Sequence, residues 1–229
     1  MKTPHSARTP AHKSAAFTLI ELLVVVAIIA VLAGLTMSVT KGVMDTARKV
    51  SAKNDLVAIV TAVKAYYTDY GHYPLQTSVT TDAGAVFGSP GGGATNDDLM
   101  NVLRFATADP AVTDPLTIDP NSLNVRQTRY LEVAFAKNSK SGIVPTGTLK
   151  GQWVDPWGVP YVVFIDGDYN SDIDVSTCFN GPTTIFPVPT KVQIAVGAAC
   201  IGYRKNGQTA VSPNLPAAFN QSVDLISWR

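Results

Sequence analysis

The chain has 229 residues, with 18 Lys and Arg against 17 Asp and Glu, and a formal net charge of +1. This near-neutral balance gives no basic surface of the kind that nucleic-acid binding needs, so we expect no nucleic-acid partner. The sequence also shows no nucleophile triad, zinc-ligand spacing or phosphate-binding loop, and we therefore expect that the protein is not an enzyme.

Residues 1–16 form a polar leader that carries three cations and no acid. A secretory signal peptide has an apolar stretch of about 7–15 residues followed by a cleavage site. Here the apolar stretch is longer, and the small residues Ala15 and Ala16 precede it. We expect cleavage before the apolar segment, with an uncleaved signal anchor as the alternative. The cationic leader favours a cytoplasmic N-terminus in both cases.

The segment that follows is apolar except for one acid, Glu21. From Leu22 to Val39 it carries no charge, and with Phe17 to Ile20 in front it approaches the ~20 residues that span a bilayer. A charge at the centre of a membrane helix costs roughly 2.5–3.5 kcal/mol, so an acid in such a segment indicates a function. We expect Glu21 to pair with a cation on another subunit, because pairing offsets the cost of burying both charges.

A ten-residue motif at this junction carries a resemblance. Ala16-Phe17-Thr18-Leu19-Ile20-Glu21-Leu22-Leu23-Val24-Val25 resembles the processing site of type IV pilins and of the pseudopilins of type II secretion systems. The resemblance implies that a membrane prepilin peptidase cleaves between Ala16 and Phe17 and then methylates the new amino terminus of Phe17. It also implies that Glu21 is the assembly carboxylate. Ala16 stands where the family usually has Gly, and since both are small we expect processing to occur.

One helix is predicted from about Phe17 to Tyr70. In its second half, apolar residues recur at spacings of four and three and predict a face that packs on a sheet. Gly71 and Pro74 then end the helix. The members of the predicted apolar stripe are Leu56, Val60, Val63, Tyr67 and Tyr70.

Several shorter elements are predicted after the helix. Residues 76–96 are rich in Gly, Ser, Thr and Ala and predict a surface loop. Asp97 and Asp98 precede an apolar run that predicts a short capped helix. The remaining apolar runs predict strands at 129–135, 161–165, 191–196 and 199–203.

Asp155-Pro156-Trp157-Gly158 predicts a turn, because Pro presets φ and Gly permits positive φ. We expect Trp157 to cap the core, with ligand stacking as the alternative. The run from Asp155 to Tyr161, the helix exit from Tyr66 to Pro74 and the terminal 224–228 segment are similar to the major pseudopilin of type II secretion.

The resemblance implies an α+β, type IV pilin-like fold with a long N-terminal α-helix packed on a small antiparallel β-sheet. It implies three parts of the chain: a cleaved cytoplasmic leader at 1–16, a transmembrane and assembly half of the helix at 17–40, and a periplasmic globular domain at 41–229 that includes the second half of the helix.

An acidic loop follows the predicted strand at 161–165. Oxygen-bearing side chains at alternate positions suit a hard cation such as calcium, although the loop lacks the Gly and the Glu of an EF-hand. A solvated acidic turn is the alternative. Major pseudopilins bind calcium nearer the C-terminus, where this chain has cations in place of acids. The predicted calcium ligands are Asp166, Asp168, Asn170, Asp172 and Asp174.

Cys178 and Cys200 are the two cysteines of the chain. In an oxidising periplasm they could form a structural disulfide, which would close a loop of about 20 residues and contribute about 3 kcal/mol. Two reduced core thiols are the alternative.

The resemblance implies a structural subunit of the type II secretion pseudopilus that polymerises through its N-terminal helix to drive protein export across the outer membrane. Its implied partners are further copies of itself, other pseudopilins, the prepilin peptidase and methyltransferase, and the inner-membrane assembly platform with its ATPase. The implied location is the bacterial inner membrane, crossed once, with the C-terminal domain in the periplasm.

Two other functions stay open at the level of the sequence. A type IV pilin for adhesion, motility or DNA uptake would share the N-terminal motif but lack the Asp-Pro-Trp-Gly and terminal Trp segments. A membrane-anchored module that binds calcium or another ligand without polymerising would not need Glu21.

Overall fold

The structure, a computed structural model, describes residues 17–76, 78–88, 94–105, 120–174, 191–200 and 225–227. Its helices are α1 (Leu19–Tyr70), α2 (Asn96–Arg104) and α3 (Pro120–Leu123), with a 3-10 helix at Asp82–Ala85. Its strands are β1 (Val86–Phe87), β2 (Gly142–Ile143), β3 (Trp153–Val154), β4 (Val162–Ile165), β5 (Ile173–Asp174), β6 (Lys191–Val192), β7 (Val196–Cys200) and β8 (Leu225–Ile226). This composition confirms the predicted α+β class.

The chain divides into two compact units, Met1–Asp45 and Thr46–Arg229. In the first unit the apolar side chains of α1 that the structure describes are exposed, with Leu22 at 60% and Ile28 at 55%. Among the described residues, no helix has both the length and the apolar character that crossing a membrane requires.

The predicted long helix is confirmed, because α1 runs without a break from Leu19 to Tyr70. It ends where the sequence predicts. Gly71 adopts a positive φ of 72°, and its N–H donates to the Tyr67 carbonyl at 2.8 Å. A glycine in the left-handed region is the usual way to end a helix, since it carries no Cβ that would clash.

The face of α1 that packs on the core differs in part from the predicted stripe. Leu56 and Val63 are fully buried as predicted, but Tyr67 is 39% exposed and its neighbour Tyr66 is fully buried. Two apolar stripes lie side by side on this helix, and tertiary packing selects the one that contains Tyr66. Among the residues of α1 whose side chains the structure describes, the buried ones are Ala52, Leu56, Ile59, Ala62, Val63 and Tyr66.

The main sheet has four antiparallel strands in the order β1-β4-β7-β8. In its centre, β4 pairs with β7 from Val162 opposite Ala199 to Ile165 opposite Val196. Side chains from both strands, including Val163 and Ala198, share one core cluster with the buried face of α1. The predicted packing of a long helix on a small antiparallel sheet is therefore confirmed. The strand pairs β2-β3 and β5-β6 form two further small ladders.

Two of the predicted strands shift and one is absent. The predicted strand at 191–196 is confined to β6, and the next one begins earlier than predicted, at Val196. The predicted strand at 129–135 is wrong. The N–H groups of Tyr130 and Leu131 both donate to the carbonyl of Leu103 at the end of α2, so this segment completes a helix terminus and forms no ladder beyond one bridge at Phe135.

The predicted surface loop at 76–96 is also partly wrong, because β1 lies inside it. Val86 and Phe87 are both 2% exposed and pair with Phe164 and Val163 of β4. Two apolar residues are too few to show a strand period in the sequence.

The short helix predicted after residue 97 is confirmed as α2, with a correction at its start. Thr95 occupies the N-cap position and makes no side-chain cap hydrogen bond. Asp97 and Asp98 lie inside the first turn, where acids interact favourably with the helix dipole.

Candidate processing, assembly and cation sites

The start of α1 is held by three hydrogen bonds that run in both directions between Thr18 and Glu21. The Thr18 backbone N–H and hydroxyl donate to Glu21 Oε2 at 3.1 and 2.9 Å. In return, the Glu21 N–H donates to Thr18 Oγ1 at 3.3 Å. This is the capping-box arrangement, which satisfies backbone donors that the first helical turn leaves unpaired. The Thr-x-x-Glu spacing was available in the sequence as a signal for it.

The predicted processing residues lie at this same helix start. Phe17 is 75% exposed, and Glu21 is exposed as well. Ala16, on the other side of the predicted cleavage point, lies outside the described residues. Both hydrogen bonds from Thr18 end on one carboxylate oxygen, and a carboxylate has about four acceptor sites. The Glu21 side chain can therefore accept a further donor without losing its cap.

The acidic loop after β4 begins with a buried carboxylate. Asp166 is 3% exposed, and its two oxygens accept the N–H groups of Asn170 at 3.1 Å and Ser171 at 2.8 Å. Burial, followed by the nearby Asp168 and Asp82 side chains, raises the pKa of Asp166, while the two backbone bonds oppose that rise. The carboxylate thus organises the loop around itself.

A third acid, which the sequence reasoning missed, joins this loop from a distant part of the chain. Asp82, in the 3-10 helix, is 7% exposed, and its Oδ1 accepts the N–H of Gly167 at 3.0 Å. One oxygen from each of Asp82, Asp166 and Asp168 lies within 4.8 Å of the others. Nothing local in the sequence marks Asp82, because the contact depends on how the 3-10 helix packs beside β4.

Gly167 makes this close approach feasible. A Cβ at this position would lie 2.5 Å from the Thr81 carbonyl oxygen, which is closer than any real side chain allows. A glycine at the head of the loop therefore lets the chain segments around Asp82 and Asp166 come together.

The other predicted calcium ligands are used differently. The Asn170 side-chain amide donates to Asp168 Oδ2 at 2.8 Å, and its oxygen accepts the Asp172 N–H at 2.7 Å. The Asp172 carboxylate lies 3.3 Å from Lys191 Nζ. Asp174 lies in β5, opposite Lys191. Of the five predicted ligands, the structure brings Asp166 and Asp168 into one carboxylate cluster, and it adds Asp82. Calcium binding itself stays a prediction.

The Asp-Pro-Trp-Gly turn is organised by its first residue. Asp155 Oδ1 accepts the N–H groups of Trp157 at 2.8 Å and Val159 at 3.0 Å, and Gly158 has a φ of 93°. Trp157 is partly buried and packs against the main core cluster, in agreement with the expected capping of the core. The turn thus forms as the residue types predict.

Of the two cysteines in the predicted disulfide, the structure describes Cys200. Cys200 is buried at the end of β7, and its thiol donates to Asp155 Oδ2 at 3.0 Å. Cys178 lies outside the described residues, so the bridge stays a prediction. A sulfur in a disulfide has no proton to donate, so the bridge and this hydrogen bond exclude one another.

Comparisons with known proteins bear on the N-terminal site first. Residues 11–37, which include the predicted cleavage point and Glu21, match the family model of the prokaryotic N-terminal methylation motif. The chain is also 42% identical over 159 residues to the type II secretion system core protein G of Escherichia coli strain K12. That match covers 69% of this chain and 77% of the relative. No solved structure matches the chain significantly.

Proposed function

The chain belongs to the family of type II secretion system core protein G, and from this membership we propose that it is a structural subunit of the pseudopilus of that system. Subunits polymerise through the N-terminal helix, and growth of the fibre drives exported proteins across the outer membrane. The observation that carries the proposal is the N-terminal methylation motif at 11–37 placed on an exposed, capped helix start. The pilin and non-polymerising alternatives are not favoured by this membership.

Processing creates the group that assembly needs. Cleavage between Ala16 and Phe17 by the prepilin peptidase exposes an amine on Phe17, which the same enzyme methylates. The methylated amine remains cationic, so it can pair with the Glu21 carboxylate of a neighbouring subunit. Pairing in a low-dielectric environment offsets the cost of burying each charge, and it favours neighbours that are staggered so that the two groups meet.

The capping box prepares Glu21 for this role. In the single subunit, Thr18 donates two hydrogen bonds to Oε2, so the carboxylate is held in a fixed position at the start of α1. A neighbour's amine can then add a bond without disrupting the helix start. Assembly therefore uses a carboxylate whose side-chain entropy is already reduced.

The subunit spans two compartments. Residues 17–40 insert into the inner membrane, and the unit from Thr46 onward lies in the periplasm. An inner-membrane platform and a cytoplasmic ATPase supply the work of assembly, and other pseudopilins join the same fibre. The protein has no catalytic activity of its own, although it is the substrate of the peptidase.

We further propose that the acidic loop binds calcium, with Asp82, Asp166 and Asp168 as its carboxylate ligands. The donor set fits this ion, because calcium takes six to eight oxygen ligands and accepts carboxylates together with carbonyls and waters. The carboxylates of Asp82 and Asp166 accept hydrogen bonds from backbone N–H groups, and their remaining lone pairs suffice for a cation. A bound ion would hold the 3-10 helix against the loop after β4.

The experiment that tests the polymerisation proposal separates the charge of Glu21 from its capping role. The full chain is expressed with its assembly machinery as wild type, Glu21→Gln and Thr18→Ser, and fibres are imaged by electron microscopy. Glutamine keeps the capping geometry but removes the charge, so we expect a processed, folded subunit that forms few or no fibres. The Thr18→Ser control keeps the cap and should form fibres.

Mass spectrometry of the same samples checks the N-terminus. A methylated amine on Phe17 in the wild type and in Glu21→Gln would show that both are processed, so that the loss of fibres is a loss of assembly. Fibres as abundant with Glu21→Gln as with wild type would contradict the proposed pairing.

A further inference from the structure

Three buried polar side chains and one half-buried carboxyl group lie where the second half of α1 packs on the sheet. Asp55 comes from α1, Asp155 from the turn after β3, Tyr161 from the residue before β4, and Cys200 from the end of β7. Asp155, Tyr161 and Cys200 are fully buried, and Asp55 is half-buried. Elements that are far apart in the sequence therefore place two carboxyl groups in one buried region.

Two hydrogen bonds tie these side chains together in pairs. The Tyr161 hydroxyl donates to Asp55 Oδ2 at 2.7 Å and so joins α1 to the sheet. The Cys200 thiol donates to Asp155 Oδ2 at 3.0 Å and joins β7 to the turn. Because the other Asp155 oxygen accepts the N–H groups of Trp157 and Val159, the charge on Asp155 affects both the turn and the sheet.

Both carboxyl groups have a raised pKa, and burial is the main cause for each. Burial raises the pKa of Asp55, the bond from Tyr161 opposes that rise, and the Asp155 charge adds to it. Burial likewise raises the pKa of Asp155, against the bonds from Val159, Cys200 and Trp157. The charged form of each acid is thus less favourable in the folded protein than in the unfolded chain.

We propose that Asp55, Asp155, Tyr161 and Cys200 form a proton-linked clamp, which holds the second half of α1 on the sheet firmly when one carboxyl is protonated and less firmly when both are charged. The titratable groups that face one another in it are Asp55 from α1, Asp155 from the turn, Tyr161 beside β4 and Cys200 from β7. The clamp lies within the unit Thr46–Arg229 and does not depend on polymerisation.

The sign of the pH effect follows from the raised pKa values. A carboxyl with a raised folded-state pKa contributes stability that is fully present below its unfolded value, 3.8 for Asp, and is lost as pH rises through the folded value. Each fully linked proton changes the unfolding equilibrium constant about tenfold per pH unit within that window. We therefore expect the clamp to make the globular unit less stable as pH rises above about 4.

Urea unfolding of the full chain in detergent under reducing conditions, which keep the Cys200 thiol free to donate to Asp155, tests the clamp between pH 4 and pH 8, with wild type compared to Asp55→Asn. The variant keeps an oxygen that accepts the Tyr161 hydroxyl but cannot ionise. We expect its unfolding equilibrium constant to rise less with pH than that of the wild type, by up to about tenfold per pH unit within the window. Parallel pH profiles for the two proteins would overturn the proposal.

A matched control lies on the same helix. Asp69 also accepts a tyrosine hydroxyl, that of Tyr130, at 2.7 Å, but at an exposed position. Asp69→Asn therefore removes a tyrosine-bonded carboxylate that is not buried, and an equal flattening of the pH profile by both substitutions would overturn the clamp. Where Asp55→Asn is too unstable to measure, Tyr161→Phe serves instead. It removes the bond that favours the charged form, so the loss of stability should extend to higher pH, and an unshifted profile would count against the clamp.

Discussion

The side-chain amide of Asn96 forms hydrogen bonds with the backbone on both sides of the Asp-Pro-Trp-Gly turn. Its nitrogen donates to the carbonyls of Trp153 at 2.9 Å and Tyr161 at 2.8 Å, and its oxygen accepts the Trp153 N–H at 3.0 Å. The residue is fully buried at the start of α2. One side chain thus joins α2 to the chain segments that enter and leave the turn. The Asp-Pro-Trp-Gly turn therefore depends on a residue outside its own sequence.

We expect Asn96→Ala to destabilise the globular unit by about 3 kcal/mol, because a buried donor or acceptor left unpaired costs about 1–3 kcal/mol and three bonds are lost together. Urea unfolding followed by tryptophan fluorescence measures this change.

Asn101 provides the matched control. It is equally buried on the same helix, but its amide atoms have no hydrogen-bond partner among the residues that the structure describes. Asn101→Ala removes no hydrogen bond, so it should cost clearly less than Asn96→Ala. An equal loss of stability at both positions would show that the loss at Asn96 comes from packing and not from its hydrogen bonds to the backbone.

The reciprocal cap of α1 gives a second prediction. Thr18→Val keeps the shape of the side chain but removes the hydroxyl that donates to Glu21 and accepts its N–H. Loss of an N-cap costs about 1 kcal/mol, so the first turn should fray by that amount. Amide hydrogen exchange at residues 19–22 measures it, and Thr18→Ser is the control that should protect these amides as the wild type does. Unchanged protection in Thr18→Val would contradict a capping role for the hydroxyl.

The sequence predicts those features of this fold that depend on local chemistry. The helix exit at Gly71 and the turn at Gly158 form as predicted, because each needs a positive φ that glycine supplies at little cost. The choice between Tyr66 and Tyr67 as the buried ring could not be made this way, since both fit a helical stripe. It is decided by packing and by the hydrogen bond from the Tyr66 hydroxyl to the Leu123 carbonyl at 2.7 Å.

The candidate sites divide along the same line. Thr18 and Glu21 lie three residues apart, so one turn of helix brings them together. Asp82 reaches Asp166 only after the 3-10 helix has packed against β4, and no local pattern in the sequence encodes that contact. For the same reason the sequence does not predict the hydrogen bond between Asp155 and Cys200, although it predicts the turn that contains Asp155 and a disulfide that contains Cys200.

The Cys200 thiol gives a third prediction. In the reduced protein, Cys200→Ser keeps a donor to the buried Asp155 carboxyl, whereas Cys200→Ala removes it. We expect Cys200→Ala to be about 1–2 kcal/mol less stable than Cys200→Ser, because a hydrogen bond to a charged group contributes about 1.5–3 kcal/mol. Rearrangement of the structure around the smaller alanine side chain recovers part of that loss. Thermal unfolding under reducing conditions measures the difference. Equal stability of the two variants would contradict the structural role of this hydrogen bond.

The predicted bridge to Cys178 has its own measurement. Alkylation of the denatured protein, with and without reductant, followed by mass spectrometry counts the free thiols. A bridge leaves none to alkylate before reduction, and reduction should then destabilise the protein by about 3 kcal/mol. The protein is purified from the inner-membrane fraction without reductant. Two cysteines alkylated before reduction would contradict the bridge.

Calcium binding gives the last prediction. A ligand that binds the folded state alone stabilises it by about 2.7 kcal/mol at one hundred times its dissociation constant, so calcium should raise the unfolding temperature of the wild type. We expect Asp82→Asn and Asp168→Asn to abolish most of this rise, because each removes a carboxylate from the cluster. Asp172→Asn is the matched control in the same loop, since its carboxylate lies beside Lys191, and it should keep the response.

Asp166 is less suitable as a probe, because its side chain also holds the N–H groups of Asn170 and Ser171 and its loss would disturb the loop without calcium. A wild type that does not respond to calcium would contradict the site, and a response lost equally in Asp172→Asn and Asp168→Asn would contradict the ligand set with Asp82.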